Sequence, residues 1–155
     1  MLRPLENYGG KNFMTAPSFV DTNVLLYAGS NAPEDAAKRQ QARQLLAQPG
    51  LVFSAQVLQE FYSAAVSKQR LQMTHEDAVA ALEALAAFPV WPVTRELVLE
   101  AIAAKQRFQI SYWDAAILTA AKQMGCSTLY SEDLNAGQNY DGVRVINPFV
   151  NVAAS

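Results

Sequence analysis

Short apolar runs alternate along the chain with longer segments in which apolar residues recur every three or four positions. The runs at residues 19–20, 51–53, 127–131 and 143–146 have the character of buried strands, whereas the longer segments have the period of amphipathic helices. An apolar stretch at residues 88–93 contains two prolines, which confine it to a sheet edge or an extended connection. This alternation predicts an α/β fold whose parallel strands are joined by helical crossovers.

Several helix starts are marked by residues that cap free backbone amides. Ser54, Thr94 and Ser111 each precede a segment with helical periodicity, and Thr74 with Asp77 fits a capping box. We therefore expect helices at residues 33–48, 54–68, 74–86, 94–107 and 112–124.

The apolar stripes of these helices predict which side chains face the core. Ile102 and Trp113 fall on such stripes, as does Ala36 near the start of the helix at residues 33–48. The helix at residues 112–124 has few polar positions and ends at Gly125. We expect it to be the most deeply buried of the set.

The length of 155 residues and the 51% hydrophobic content suit one domain with a full core. We assign residues 17–150 to that domain, residues 1–16 to an irregular or disordered leader, and residues 151–155 to a tail. The single cysteine, Cys126, excludes an intrachain disulfide and a cysteine-built zinc site. Without a signal peptide or an apolar run of membrane-spanning length, we expect a cytoplasmic protein that makes no membrane contact.

Overall charge argues against binding nucleic acid through a basic surface, because the formal net charge is −2 and the pI is about 5.3. If four of the 14 acidic residues formed a metal site, however, ten acids would face 12 basic residues elsewhere. One helix face carries Lys38, Arg39 and Arg43. It is either an ordinary solvated surface or one that follows a phosphate backbone.

Two acids follow strands directly, and two lie in early turns of helices. Asp21 comes after the first strand and Asp133 after the strand at residues 127–131, while Glu60 and Asp114 lie beside apolar helix faces. Each has an ordinary explanation. Asp21 and Asp114 suit helix N-termini, and Glu60 suits an exposed edge or a local ion pair.

Parallel strands place their carboxyl ends at one edge of the sheet, which is where ligands collect in open α/β sheets. We therefore expect the four acids to converge there. Carboxylates without basic partners repel one another unless a divalent cation intervenes, and all-oxygen ligands suit Mg²⁺ or Mn²⁺. Such an ion grips a phosphate and lowers the pKa of a bound water, so that no nucleophilic Ser, Cys or His is required.

Four motifs in order resemble those of the PIN-domain ribonucleases, particularly the VapC toxins of VapBC-type toxin–antitoxin pairs. They are FVDTNVLLY, VLQEFY, YWDAAILTAA and LYSEDLNAG, and the resemblance covers residues 16–149. It implies a three-layer α/β/α PIN-like domain around a central parallel sheet of about five short strands. The longer leader before Pro17 departs from the family pattern, in which the first strand begins almost at once.

The resemblance also implies roles for individual residues. Those expected to be catalytic and metal-binding are Asp21, Glu60, Asp114 and Asp133. Those expected to support them are Thr22, Asn23 and Ser131, with Glu132 as an additional ligand or a substitute for Asp133. The implied activity is Mg²⁺- or Mn²⁺-dependent cleavage of RNA to a 5′-phosphate and a 3′-hydroxyl. The implied partners are the RNA substrate, a small VapB-like antitoxin and a second copy of the chain.

Two other functions fit parts of the pattern. A haloacid-dehalogenase-like phosphohydrolase also begins with a strand and an acidic nucleophile, but normally has a second Asp two positions later, where this chain has Asn23. A catalytically silent PIN-like module would keep the fold to bind RNA or protein. The presence of all four acids argues against decay of the site without demonstrating activity.

Overall fold

The computed structural model describes residues 16–152, so nearly all of the expected leader and most of the expected tail lie outside it. Six strands form one sheet in the order β3-β2-β1-β4-β6-β5, and every neighbouring pair is parallel except β5 with β6. Their bounds are β1 Ser18–Val20, β2 Leu51–Ser54, β3 Val90–Trp91, β4 Thr128–Tyr130, β5 Asn139–Tyr140 and β6 Val143–Ile146. The α/β class is confirmed, with six strands rather than about five.

In the described part of the chain, six α-helices connect the strands and flank the sheet. They are α1 Thr22–Gly29, α2 Ala36–Leu46, α3 Ala55–Ser67, α4 His75–Ala84, α5 Arg95–Phe108 and α6 Tyr112–Gln123. Contacts join α1 to α2 and α3, and α3 to α4, while α5 packs on α6 and α6 reaches β4 and β6. Within residues 16–152, no helix is both long and apolar enough to cross a membrane.

The centre of the sheet is built from three short strands with buried apolar side chains. Phe19 in β1 is paired with Val52 in β2 on one side and with Leu129 in β4 on the other, and all three are buried. Removing these side chains from water supplies the main driving force for forming such short strands. The register also pairs Val20 with Tyr130, so the residues that follow β1 and β4 emerge side by side.

The helix ends confirm the predicted caps. The side chains of Ser54, Thr94 and Ser111 each accept a backbone hydrogen bond from three residues ahead, and Thr74 with Asp77 forms a complete capping box. Each cap satisfies an amide that the helix itself leaves without a partner.

Three side chains predicted to face the core are exposed instead. Trp113 is 64% exposed because it lies in the first turn of α6, and continuous burial of that helix begins only at Ala115. Ile102 is 45% exposed, since Leu97 and Ala101 form the buried stripe of α5 and Ile102 lies beside it. Ala36 is exposed in the first turn of α2.

The segment between β4 and β6, where no strand was predicted, contains one. Asn139–Tyr140 forms β5, and Asp141 and Gly142 turn the chain antiparallel into β6. Both turn residues have positive φ, 54° and 97°, as a two-residue type I′ hairpin requires. The predicted central parallel sheet is confirmed, and this antiparallel strand is added at its edge.

Candidate functional site

Asp21 lies between β1 and α1 and has both of its oxygens occupied. Oδ1 accepts a hydrogen bond of 2.7 Å from the Thr22 backbone amide, and Oδ2 accepts one of 2.7 Å from the Ser131 hydroxyl. The side chain is buried, with 4% exposure, yet no Lys or Arg of the described chain pairs with it. Asp21 is the N-cap of α1 and, at the same time, a buried carboxylate at the carboxyl end of the central strand.

Burial raises the pKa of Asp21 to about 6, because a carboxylate inside the protein loses its hydration. The hydrogen bonds from Ser131 and Thr22 oppose that rise, whereas the negative charges of Asp133 and Glu60 add to it. A nearby cation would favour ionisation of Asp21 and offset this repulsion.

Asn23 fixes the segment after β4 against α1. Its Nδ2 donates a hydrogen bond of 3.1 Å to Asp133 Oδ2, and its Oδ1 accepts one of 3.2 Å from the backbone amide of Glu132. The amide of Asp133 donates to the Ser131 hydroxyl oxygen at 3.2 Å. These bonds bring the turn after β4 to the acid that follows β1.

Glu60 is held in the same region by two neutral donors. Thr22 donates a hydrogen bond of 2.9 Å from Oγ1 to Glu60 Oε2, and Gln56 donates one of 2.7 Å from Nε2 to Oε1. The same Gln56 nitrogen donates to the backbone carbonyl of Trp113 at 3.1 Å, which joins α3 to α6. Sequence reasoning missed Gln56, although its place one turn before Glu60 on the same helix was a usable signal.

Asp114 approaches from the start of α6. Its backbone amide donates to the Ser111 hydroxyl at 3.1 Å, and its carboxyl group is partly buried. Burial raises the pKa of the Asp114 carboxyl group and side-chain hydrogen bonding with Ser111 lowers it, while the charges of Asp133 and Glu60 raise it further. Hydrogen bonds from Thr22, Asn23 and Ser131 hold Glu60, Asp133 and Asp21 around one region. Gln56 joins Glu60 to the backbone of Trp113, which is next to Asp114 in the chain.

Glu132 is directed to a different set of partners. Its Oε2 lies 2.8 Å from the Lys38 ammonium in an ion pair, and its Oε1 accepts a 2.8 Å hydrogen bond from the Tyr27 hydroxyl. The Lys38 nitrogen also lies 4.6 Å from the centre of the Tyr27 ring. The geometry thus associates Asp133, rather than Glu132, with Asp21.

The three cations considered for phosphate binding all make contacts within the protein. Besides the ion pair of Lys38, Arg39 donates to the Ser30 carbonyl at 2.8 Å and Arg43 donates to the Ala28 carbonyl at 2.9 Å. Their role in RNA binding stays a prediction.

Whether the site can bind a divalent metal ion depends on the chemistry of the four acids. Within residues 16–152, no three Asp, Glu, His or Cys side chains are close enough to form a ready-made metal cage. Mg²⁺, however, usually keeps several water ligands and binds proteins through one or two carboxylates. Burial raises the pKa values of Asp21 and Asp114, and none of the four acids is ion-paired to a cation of the described residues, which fits such an open, water-rich site.

Clefts open beside these residues. One of about 360 Å³ is lined by Thr22, Asn23, Glu60 and Asp133 together with Lys68 and Arg70. Another of about 570 Å³ lies between α3 and the start of α6, and Glu60 belongs to the walls of both. A cleft of about 450 Å³ beside α5, α6 and Asp141 contains none of the four acids.

Solved structures with the same fold come from several bacteria. The Mycobacterium tuberculosis toxin VapC20, described as cleaving the sarcin–ricin loop, is 21% identical at a TM-score of 0.60, over 75% of this chain and 89% of that one. A toxin–antitoxin complex from Klebsiella pneumoniae is 20% identical at a TM-score of 0.60, over 84% of this chain and 97% of that one. A DNA-bound VapBC from Salmonella typhimurium is 18% identical at 0.60, with the same coverage.

A search of curated protein sequences gives no match. The family model of the PIN domain, in contrast, matches residues 18–140. That range includes all four acids and most of the described fold. The chain therefore belongs to the PIN domain family.

Proposed function

We propose that this protein is an endoribonuclease dependent on Mg²⁺ or Mn²⁺ and is the toxin of a toxin–antitoxin pair. The observation that supports the proposal is the hydrogen-bond network of Thr22, Asn23 and Ser131 with three of the predicted acids, Asp21, Glu60 and Asp133, none of which is ion-paired to a cation of the described residues. Membership of the PIN domain family and the four ordered motifs support it. They favour this function over a haloacid-dehalogenase-like phosphohydrolase, for which Asn23 is the wrong residue.

Asp21, Asp114, Asp133 and Glu60 would hold the ion. When bound, Mg²⁺ or Mn²⁺ would coordinate the RNA phosphate and activate a water molecule for hydrolysis of the phosphodiester. The chain itself supplies orientation. Ser131 and the Thr22 amide fix the two oxygens of Asp21, Asn23 fixes Asp133, and Gln56 with the Thr22 hydroxyl fixes Glu60. The two clefts that share Glu60 provide room for an RNA strand.

The proposed partners follow from the similar structures. Those from Klebsiella pneumoniae and Salmonella typhimurium are a toxin–antitoxin complex and a VapBC complex. We therefore propose a small VapB-like antitoxin that occupies the acidic cleft, and a homodimer as the toxin's own assembly. The M. tuberculosis relative is named for cleaving a structured RNA loop, which supports RNA as the substrate class.

The test compares RNA cleavage by Asp21→Asn, Asp114→Asn and the parent protein in Mn²⁺. Both variants should lose cleavage while remaining folded, because each removes one acid from a cluster of like charges. Asp141→Asn is the matched control, since Asp141 pairs with Arg107 at the cleft that lacks the four acids. Unchanged cleavage by both site variants would overturn the proposed site.

Thermal melting separates an active site from a silent binding module. Mn²⁺ should raise the melting temperature of the parent and of Asp141→Asn, and the rise should be absent in Asp21→Asn. A parent protein that is neither stabilised by Mn²⁺ nor able to cleave RNA would instead be a PIN-like module without catalysis.

A further inference from the structure

The indole of Trp113 is exposed beside the acidic cluster. It is 64% exposed, whereas the other tryptophan, Trp91, is 5% exposed. The ring packs edge-on against Tyr112, with the ring centres 5.1 Å apart and an interplanar angle of 82°. Water contact with so large an apolar surface is unfavourable, so packing in this chain does not account for a tryptophan here.

Gln56 connects the backbone of Trp113 to Glu60, one of the proposed catalytic acids. Its Nε2 donates both to the Trp113 carbonyl at 3.1 Å and to Glu60 Oε1 at 2.7 Å. The backbone that carries the indole is therefore held one side chain away from Glu60. A ligand on the Trp113 ring would lie next to a phosphate positioned at the acids.

The cleft beneath Trp113 has the chemistry of a nucleotide site. Its walls include Gln59, Ser63 and Lys68 along α3. Amide and hydroxyl groups can hydrogen-bond base edges, and an ammonium group attracts phosphate. Lys68 makes no ion pair with the described residues and lines the acidic cleft as well. The ammonium group of Lys68 is therefore available to a phosphate in either cleft.

We infer that an unpaired nucleobase of the RNA, next to the scissile phosphate, stacks on Trp113. The inference rests on the proposed nuclease function and adds the surface that binds the RNA strand, which is the cleft beside Trp113. Aromatic side chains beside cationic grooves bind single strands because every base has a flat π face. A base within an A-form duplex is already stacked, so this site selects single-stranded or looped RNA. Most of the residues that line the cleft are Gln, Ser, Lys or Glu, whose polar groups can hydrogen-bond a base or attract a phosphate.

The binding experiment uses Asp21→Asn to prevent cleavage and a labelled, unstructured RNA oligonucleotide. Fluorescence anisotropy should show that Trp113→Ala lowers affinity about 5- to 150-fold, whereas Trp113→Phe retains most of it. Adding Trp91→Phe leaves Trp113 as the only tryptophan, and its own emission should be quenched by the single strand but not by a duplex of the same sequence. The anisotropy measurement does not depend on how well Trp91→Phe folds.

Tyr62→Ala is the matched control, because Tyr62 is an exposed aromatic residue on α3 that does not line the cleft beside Trp113 and whose hydroxyl lies 3.0 Å from His75 Nδ1. It should bind RNA as tightly as the Asp21→Asn parent. The inference is overturned if Trp113→Ala also binds like that parent, if neither protein binds the oligonucleotide, or if a VapB-like antitoxin alone requires the indole. If the wild type cleaves RNA but Trp113→Ala does not change RNA affinity, the stacking inference is refuted and the nuclease proposal stands. If Trp113→Ala weakens RNA binding but the wild type does not cleave RNA, the nuclease proposal is refuted and the stacking inference stands.

Discussion

The Ser131 hydroxyl donates a 2.7 Å hydrogen bond to Asp21 Oδ2, and both residues are buried. The bond joins positions 110 residues apart in the chain. It follows from the parallel register of β1 and β4, in which Val20 pairs with Tyr130, so that the next residue of each strand emerges at the same edge. The backbone pairing of the sheet thus brings together two side chains that the sequence separates widely.

Ser131→Ala should move the pKa of Asp21 above its value of about 6, because the Ser131 bond is the strongest influence that lowers it. In EDTA, the pH dependence of the unfolding free energy that comes from Asp21 should therefore shift to higher pH. The free energy of unfolding should fall by about 1–3 kcal/mol, since buried groups lose a hydrogen-bond partner. Urea denaturation measures both effects.

Ser127→Ala provides the control, because Ser127 is an exposed serine beside the same strand. Its unfolding free energy should stay within about 0.5 kcal/mol of the parent. An unshifted pH profile in Ser131→Ala would show that the hydroxyl does not govern the ionisation of Asp21.

Asp21 should make the metal-free protein less stable as the pH rises. Its pKa is raised from 3.8 to about 6 in the folded state, so the folded protein binds the proton more tightly than the unfolded chain. Stability from this group is complete below the unfolded pKa and is lost as the pH rises through about 6. The loss is about 3 kcal/mol at neutral pH.

Urea denaturation of the parent and of Asp21→Asn in EDTA, at about pH 4 and about pH 7, measures this difference. The variant should be the more stable protein at neutral pH, and the advantage should shrink in acid. Mn²⁺ should stabilise the parent at neutral pH and remove much of the variant's advantage. A parent that gains stability from Asp21 as the pH rises would contradict the burial argument.

Local sequence chemistry was sufficient to predict the helix caps and the acids at the sheet edge. Ser54 and Ser111 cap their helices because a hydroxyl in that position reaches a backbone amide three residues ahead. This bond depends only on residues that are close together in the sequence. Asp21 was identifiable because its strand is short and apolar and ends in a turn. These features depend on distances of a few residues, which a single sequence displays directly.

Relationships across the fold were not predictable in the same way. The preference of Glu132 for Lys38 and Tyr27 depends on how α1 and α2 pack near the end of β4, and the exposure of Trp113 depends on where α6 enters the core. The β5–β6 hairpin is different, because Asp141-Gly142 is a type I′ turn signal that the sequence carried. The strand after the turn, β6, was predicted, but β5 has only two residues and was too short for the alternation of side chains to reveal it.

Cys126 should resist alkylation in the folded protein. It is 5% exposed, and burial raises the pKa of its thiol to about 12, so almost no reactive thiolate forms near neutral pH. Iodoacetamide should modify it only when the protein unfolds, at a rate that rises with urea concentration. Mass spectrometry measures the modification. Labelling of the folded protein as fast as of the urea-unfolded chain would show that the thiol is accessible.

The ion pair between Lys38 and Glu132 allows the RNA-binding role of Lys38 to be tested with two opposing variants. Lys38→Met removes the cation, whereas Glu132→Gln releases the ammonium and removes a negative charge beside the proposed site. In an Asp21→Asn background, we expect Lys38→Met to weaken RNA binding and Glu132→Gln to strengthen it. Each should change the free energy of unfolding by less than about 1 kcal/mol, because both side chains are partly exposed.

The salt dependence of binding shows whether Lys38 contacts phosphate. Each lost phosphate contact lowers the slope of log affinity against log salt by about 0.7 for a single strand. Lys38→Met should show that reduction, and Lys105→Met, an exposed lysine substitution on α5, should keep the parental slope. If Lys38→Met and Glu132→Gln both retain the parental affinity and slope, Lys38 does not contact the RNA and only stabilises the turn after β4. The RNA strand would then approach the acids along the side of the cleft that contains Lys68.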